Sequence, residues 1–485
     1  MRQQQRRSLT IWGTLRVDDF HRRILWSRAA QLINPIASGG HIRYPNLELH
    51  PWGGIPLQTA DSLRSPWSDE SARALLLKMF DSAVASANPL EVLADYLPER
   101  PRGRCVVVGA GKAATAMAQA VDRAWADLDL SGVVVAPYGY GGRVGRICVL
   151  EARHPVPDEA SEAAARQVLQ SVAGLSPDDL VLALISGGGS STLALPAPGL
   201  SLADKQQTNR VLLKSGLDIR TMNVIRRRLS GIKGGRLAAA AAPARVVTLG
   251  ISDIPGDEPS AIASGPTLPD LDKDFDFREV LSRIGPMLPR AVVSFLERPF
   301  EPVTLPHKPD FRMIATPAKA LAAAAAVARA AGVKPIVLGD AIEGEASELG
   351  RDMAHLALAP VGTPTVYLSG GETTVTIGSG PAGCGGRNTE FLLALASALR
   401  GTPGVWGLAA DTDGEDGANG GAAGAIIDPS TLARARVRRT SSADALLRHD
   451  SGGFFETLGD LVMTGPTHTN VNDFRAILVV PLDGH

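Results

Sequence analysis

The sequence predicts an α/β protein of two domains, each a mostly parallel sheet flanked by helices, the first of them Rossmann-like. Three observations carry this. Short β-branched apolar runs, such as Cys105-Val-Val-Val108, are followed by glycine and then by helix-forming residues, which is how buried parallel strands read. Two such runs end in glycine loops, at 109–111 and 186–191, on the strand edge where parallel sheets bind ligands. Strand–helix alternation also fades near Phe275 and resumes at Phe311, which divides the globular part into 69–305 and 306–485.

Composition sets the outer limits. The chain has 485 residues, 45% apolar and 20% charged, with a net charge of −1, ordinary for a globular enzyme. That balance points to no nucleic-acid partner. Cys105, Cys148 and Cys384 are scattered without metal spacing, as expected of a cytoplasmic protein. No apolar run reaches the ~18 residues of a membrane span.

Residues 1–68 hold four of the six tryptophans but no sustained periodicity, and are expected to be a poorly ordered extension. Ser68 then reads as the N-cap of a helix with the apolar set Ala72, Leu75, Leu76, Met79 and Phe80. The strand at 105–108 leads through Gly109-Ala-Gly111 into a helix. Its free N–H groups and positive dipole end predict an anion site, to which Lys112 adds a full charge. Gly109, Gly111 and Ala114 also fit the dinucleotide fingerprint, but the next strand, 132–136, runs into Pro137-Tyr-Gly139 with no acid for a ribose. His154 follows in a proline-stiffened loop, as a site residue or a loop hydrogen-bonder.

The strand at 180–185 ends in Ser186-Gly187-Gly188-Gly189-Ser190-Ser191, a second candidate phosphate loop. Asn223, Arg226, Arg227, Arg228, Lys233 and Arg236 form a local basic patch, either a solvated helix face or an attraction for an anion. After the strand at 245–251, Asp253 stands where a Mg²⁺ ligand, a catalytic base or a turn-capping aspartate would. In the second half, a helix is expected at 318–331 and strands at 333–338, 366–369, 405–410 and 476–481. Gly370-Gly371-Glu372 echoes the loop at 186, Gly386-Arg387-Asn388 opens a helix, and Asp411-x-Asp413-Gly-Glu-Asp416 follows a strand. The last motif lacks the terminal glutamate of a calcium loop, so one carboxylate on Mg²⁺ suits it better.

Together VGAGKAA, HPVPDEAS, ISGGGSS, NVIRRRLSGIKGGRLA, ISDIPGDEPSAIASGPT, LSGGETTV, GGRNTEF, ADTDGEDG and TGPTHTNVNDF resemble, in order over 69–480, the glycerate 2-kinase family, whose C-terminal part is called the MOFRL domain. Such chains are sometimes labelled hydroxypyruvate reductase. The resemblance implies ATP-dependent, Mg²⁺-assisted phosphorylation of D-glycerate to 2-phosphoglycerate in a cleft between two α/β domains. It places the family's lysine on Lys112, its arginine on Arg387 and its aspartates on Asp253 and Asp413. The partners implied are small molecules, and a homodimer is admitted. Arg228 stands where histidine is expected in many relatives. An NAD(P)H-dependent reductase and a sugar-acid or nucleotide sensor are the competing functions.

Overall fold

The computed structural model describes residues 67–272, 274–300, 302–378 and 382–482. The expected extension therefore lies outside the described residues, except for Trp67 and Ser68. Ser68 caps the first helix, Asp69–Ala85, accepting from the Ser71 amide, while Ser71 returns a bond to the Ser68 amide.

The first sheet contains β1 (Cys105–Ala110), β2 (Leu130–Pro137), β3 (Cys148–Ala152), β4 (Leu180–Ile185), β5 (Arg245–Ile251) and β6 (Asp310–Ala315). All neighbours are parallel, in the order β3-β2-β1-β4-β5-β6. This is the doubly wound order, and it reverses between β1 and β4. Both of those strands are buried throughout, as their unbroken apolar runs require. The two glycine loops thus emerge side by side at the crevice where such sheets take ligands.

The sheets do not change at 305/306: β6 pairs with β5, so residues 310–315 close the first sheet. The second comprises β7 (Lys334–Gly339), β9 (Thr365–Ser369), β11 (Val405–Asp411), β12 (Gly424–Ile427), β13 (Leu461–Val462) and β14 (Asp473–Val479), with β8 (Gly344–Glu345) and β10 (Thr373–Thr374) forming a separate ribbon. Its order is β13-β12-β11-β14-β9-β7, and only β7–β9 is parallel. The expectation of a mostly parallel second sheet is corrected. The helix Ala346–Ala357 supplies the crossover that a parallel pair needs between β7 and β9. No helix joins β11 to β12, and β14 inserts between β9 and β11, antiparallel to both.

The first helix packs on the second sheet. Leu76, Met79 and Phe80 are fully buried, each contributing about 1.5–3 kcal/mol by burial. Phe80 meets Phe474 of β14 at 5.7 Å between ring centroids. Asp69 accepts from the Trp406 indole at 2.8 Å, and Arg73 pairs with Asp428 and Asp460. One apolar core runs from this helix through β1 and β4 to β11 and β14.

Candidate active site

The first glycine turn is built for close packing against the second. Gly111 has φ +123°, and a Cβ there would stand 2.4 Å from Ser186 Oγ. The Gly111 amide donates to Val135 O (3.0 Å), the Lys112 amide to Gly187 O (2.8 Å) and the Ala113 amide to Ser186 Oγ (3.0 Å). Gly109 is likewise pressed against the Leu184 carbonyl. The expected anion cradle at 109–113 is therefore corrected: the Gly111 amide is taken by β2, and those of Lys112 and Ala113 by the neighbouring loop. Lys112 is what remains of the motif for chemistry.

Lys112 forms an ion pair with Asp413, their side chains 19% and 3% exposed. The Asp413 amide donates to Asp411 Oδ1 (3.1 Å). Asp411 Oδ2 in turn accepts from Arg387 Nη2 (2.6 Å). Arg387 also reaches Asp473 through Nε (2.8 Å) and Glu372 through Nη1 (3.0 Å). The two cations expected to act together thus meet on a linked pair of aspartates, and no domain movement is needed to bring them near. Burial opposes charge on Lys112, but Asp413 and Asp411 outweigh it and raise its pKa. The same contest, with Asp473 and Asp411 prevailing over burial, raises that of Arg387. Burial and the Asp413 charge push Asp411 well above the usual carboxylate range.

Asp416 holds Arg387 in place. Its carboxylate accepts from the Asn388 and Thr389 amides and the Thr389 hydroxyl, each at 2.9 Å, so it caps the helix Arg387–Leu399 from outside. Gly370 and Gly371 are internal: the Gly370 carbonyl accepts from the Ile342 amide and Arg475, the Gly371 carbonyl from the Asp473 amide. From that loop Glu372 reaches the site.

Asp253 enters beside Gly187, where a Cβ would stand 1.9 Å from its Oδ2. Its carboxylate accepts from the Asn470 side-chain Nδ2 at 3.3 Å and makes no ion pair among the described residues. Burial raises its pKa to about 6, against the pull of Lys112 and with the push of Glu372. His154 Nδ1 lies 2.8 Å from Ser191 Oγ, and burial together with Lys112 lowers its pKa to about 4, so it is neutral at pH 7. His154 thus lines the cavity of the site and also bonds the neighbouring loop, which is compatible with both readings its sequence left open.

A cavity of about 990 Å³ is lined by Asp253 and His154, with Gly187, Gly188, Ser190 and Ser191 along one wall; Lys112 stands just behind Gly188. Gly189 lies behind them against Ala110 and Ala263, and the Ser190 hydroxyl bonds that of Ser264 at 3.0 Å. The basic patch divides here. Arg227 is bound to Asp270 and Asp272, and Arg228 lies over the Phe300 ring. Asn223, Arg226 and Lys233 line the cavity, as the acid-paired Arg227 also does, joined by Lys205 from the helix Leu202–Lys214. Sequence reasoning marked the Asp411–Asp416 motif but chose Asp413 within it, and missed Asp473, Asn470 and Lys205 as site residues; only the clustering of motifs around them marked their neighbourhood. Among the described residues, no group of three or more His, Cys, Asp or Glu side chains forms a ready metal site.

Residues 75–297 match a domain of unknown function, DUF4147, and residues 365–473 match the MOFRL family. The chain is 54% identical over 423 residues to a protein of Agrobacterium vitis named putative hydroxypyruvate reductase, covering 86% of this chain and 96% of that one. It is 35% identical to the D-glycerate 2-kinase of Thermotoga maritima, covering 85% and 99%, and 33% identical to the human glycerate kinase, covering 90% and 98%. The crystal structure of a Thermotoga maritima glycerate kinase superposes with a TM-score of 0.76 at 35% identity, covering 85% of this chain and all of that one. With the doubly wound sheet, the mixed second sheet and both family segments in one chain, this protein belongs to the glycerate kinase family.

Proposed function

We propose that the protein transfers the terminal phosphoryl group of ATP to the 2-hydroxyl of D-glycerate, in a cleft between its two sheet domains. One observation carries the reading. Lys112 from the first sheet and Arg387 beside the second meet on Asp411 and Asp413, next to a cavity large enough for a nucleotide. Phosphoryl transfer asks a protein chiefly for positioning and for charge where charge develops.

In this reading Asp253 is the base. Among the described residues it makes no ion pair, it lies beside Gly187 at the Lys112 end of the cavity, and its pKa near 6 suits proton transfer around neutral pH. It takes the proton from the glycerate 2-hydroxyl. That oxygen attacks the γ-phosphorus, the bond to the β–γ bridging oxygen breaks, and ADP leaves with the electron pair. Lys112 stabilises the transferring group, and Arg387 holds the aspartates and Glu372 in register. The amides of Gly187 and Gly188, which donate to no group among the described residues, are available to phosphate oxygens.

Magnesium fits the donor set. Among the described residues Asp253, Glu372, Asp411, Asp413 and Asp473 face Lys112, Arg387 and Arg475 as cations, which leaves an excess of negative charge. Mg²⁺ usually needs one or two carboxylates beside phosphate oxygens. Asp413 would hold it; Asp253, the other carboxylate considered for that role, is assigned the proton instead. Bound there, the ion would neutralise charge on the β- and γ-phosphates.

The name hydroxypyruvate reductase would require a dinucleotide site. The turn that would receive its pyrophosphate is filled by Ser186 and Gly187, and β2 ends without a ribose-binding acid. The test is direct: ADP release from ATP with D-glycerate, phosphorus NMR to identify 2-phosphoglycerate, and NADH loss with hydroxypyruvate measured separately. NADH oxidation without ADP release would overturn the proposal.

A further inference from the structure

The mechanism above gives no task to the basic residues of the cavity floor. Two of them, Arg220 and Arg227, pair with Asp272 and Asp270, but among the described residues every hydrogen-bond partner of Lys205, Arg226 and Lys233 is neutral. Lys233, only 3% exposed, bonds the Ser190 carbonyl and Ser190 Oγ. Lys205 bonds the Leu229 carbonyl at 3.1 Å. Arg226 bonds Asn209 Oδ1 at 2.8 and 3.1 Å and Asn223 Oδ1 at 3.2 Å. Neighbouring like charges withdrawn from water without a carboxylate are costly. Burial and mutual repulsion accordingly lower Lys205 to about 8 and Lys233 well below its ordinary value. Lys112 and Arg387, in contrast, already hold resident acids. Asp253, Glu258, Asp272 and Glu343 line the same cavity without pairing with these three residues, and an incoming polyanion gains most at cations that no resident acid already holds.

We propose that Lys205, Arg226 and Lys233 are the polyphosphate-binding residues of this cavity, taking the inner phosphates of a nucleoside triphosphate while its terminal phosphate points toward Lys112. This rests on the kinase reading. Three cations match a phosphate chain better than they match a single carboxylate, and a cavity of about 990 Å³ far exceeds a three-carbon acid. Its lining also includes Leu213, Ile219 and Leu271, which are 66%, 61% and 77% exposed, an apolar surface on which a base can lie. Glycerate is left with the Asp253–Lys112 end.

The test begins with wild-type protein, because absence of ADP release with D-glycerate would sink the kinase reading itself. Given turnover, Lys233→Met and Arg226→Met should each raise KM for ATP at least tenfold and leave KM for D-glycerate within about twofold. Inorganic tripolyphosphate should compete with ATP in the wild type and bind at least tenfold more weakly to both variants. A rise in KM for D-glycerate alone, unchanged KM values, or inhibition not competitive with ATP would each overturn the assignment. Should Lys233→Met fail to fold, Arg226→Met and the wild-type inhibition pattern decide. Should the wild type not turn over, calorimetric titration with tripolyphosphate decides: binding weakened by Arg226→Met supports the anion site, and no binding to the wild type removes it.

Discussion

Replacing Lys112 with methionine removes the cation from an almost buried pair and leaves Asp413, beside Asp411, without it. Breaking a buried pair by deleting one partner costs 3–5 kcal/mol; with Lys112 still 19% exposed, the lower end, about 3 kcal/mol, applies. An unfolding entropy of about 2.1 cal/mol/K per residue over ~420 residues gives ~0.9 kcal/mol/K, so Tm should fall by about 3–4 °C. Catalysis should suffer more. Loss of one preorganised positive group typically costs ~10²–10³ in kcat, or about 2.7–4 kcal/mol. The decisive assay pairs calorimetry with ADP-coupled kinetics for Lys112→Met, Asp413→Asn and the double variant. The double variant should regain most of the lost Tm, because no unpaired charge remains, while kcat stays low. Wild-type turnover in Lys112→Met, or recovery of kcat in the double variant, would refute the reasoning.

Asp253 should give kcat/KM an acidic limb with an apparent pKa of about 6, falling as the pH drops and the base is protonated; Asp253→Asn should abolish turnover in the same assay. Because its folded pKa lies above the ordinary 3.8, ionising Asp253 costs stability as pH rises from about 4 through 6, so Asp253→Asn should raise Tm more at neutral pH than at about pH 4. Gly187→Ala would drive a Cβ to 1.9 Å from the Asp253 carboxylate, and kcat should fall at least tenfold with the circular dichroism spectrum retained. Asp416→Ala removes the acceptor from two amides at the start of the Arg387 helix and should cost about 1–2 kcal/mol in urea unfolding, with a loss of kcat as Arg387 loosens.

The strands of the first sheet were legible because a strand buried on both faces must be apolar along its whole length, as 105–108 and 180–185 are. Glycine loops at their carboxyl ends, and the acids and cations beyond the later strands, were legible for the same reason: such residues are tolerated at a strand's edge and are excluded from its middle. What each glycine makes room for was not legible. Gly111 accommodates Ser186, and Gly187 accommodates Asp253, because β1 and β4 are neighbours and β5 lies next to β4. The second sheet misled for a related reason. Apolar runs declare a strand without declaring the direction of its partner, and β14, from the end of the chain, inserted between β9 and β11.

Residue types and their places on strand ends were thus determined by the sequence itself, through local burial and turn chemistry. Tertiary structure decided the charge balance. Lys112 found Asp413 across 301 positions, Arg387 found Asp473 across 86, and Lys233 found no acid among the described residues. Coulombic pairing depends on ångströms of separation, and only the packing of the two sheets over a shared core sets those distances.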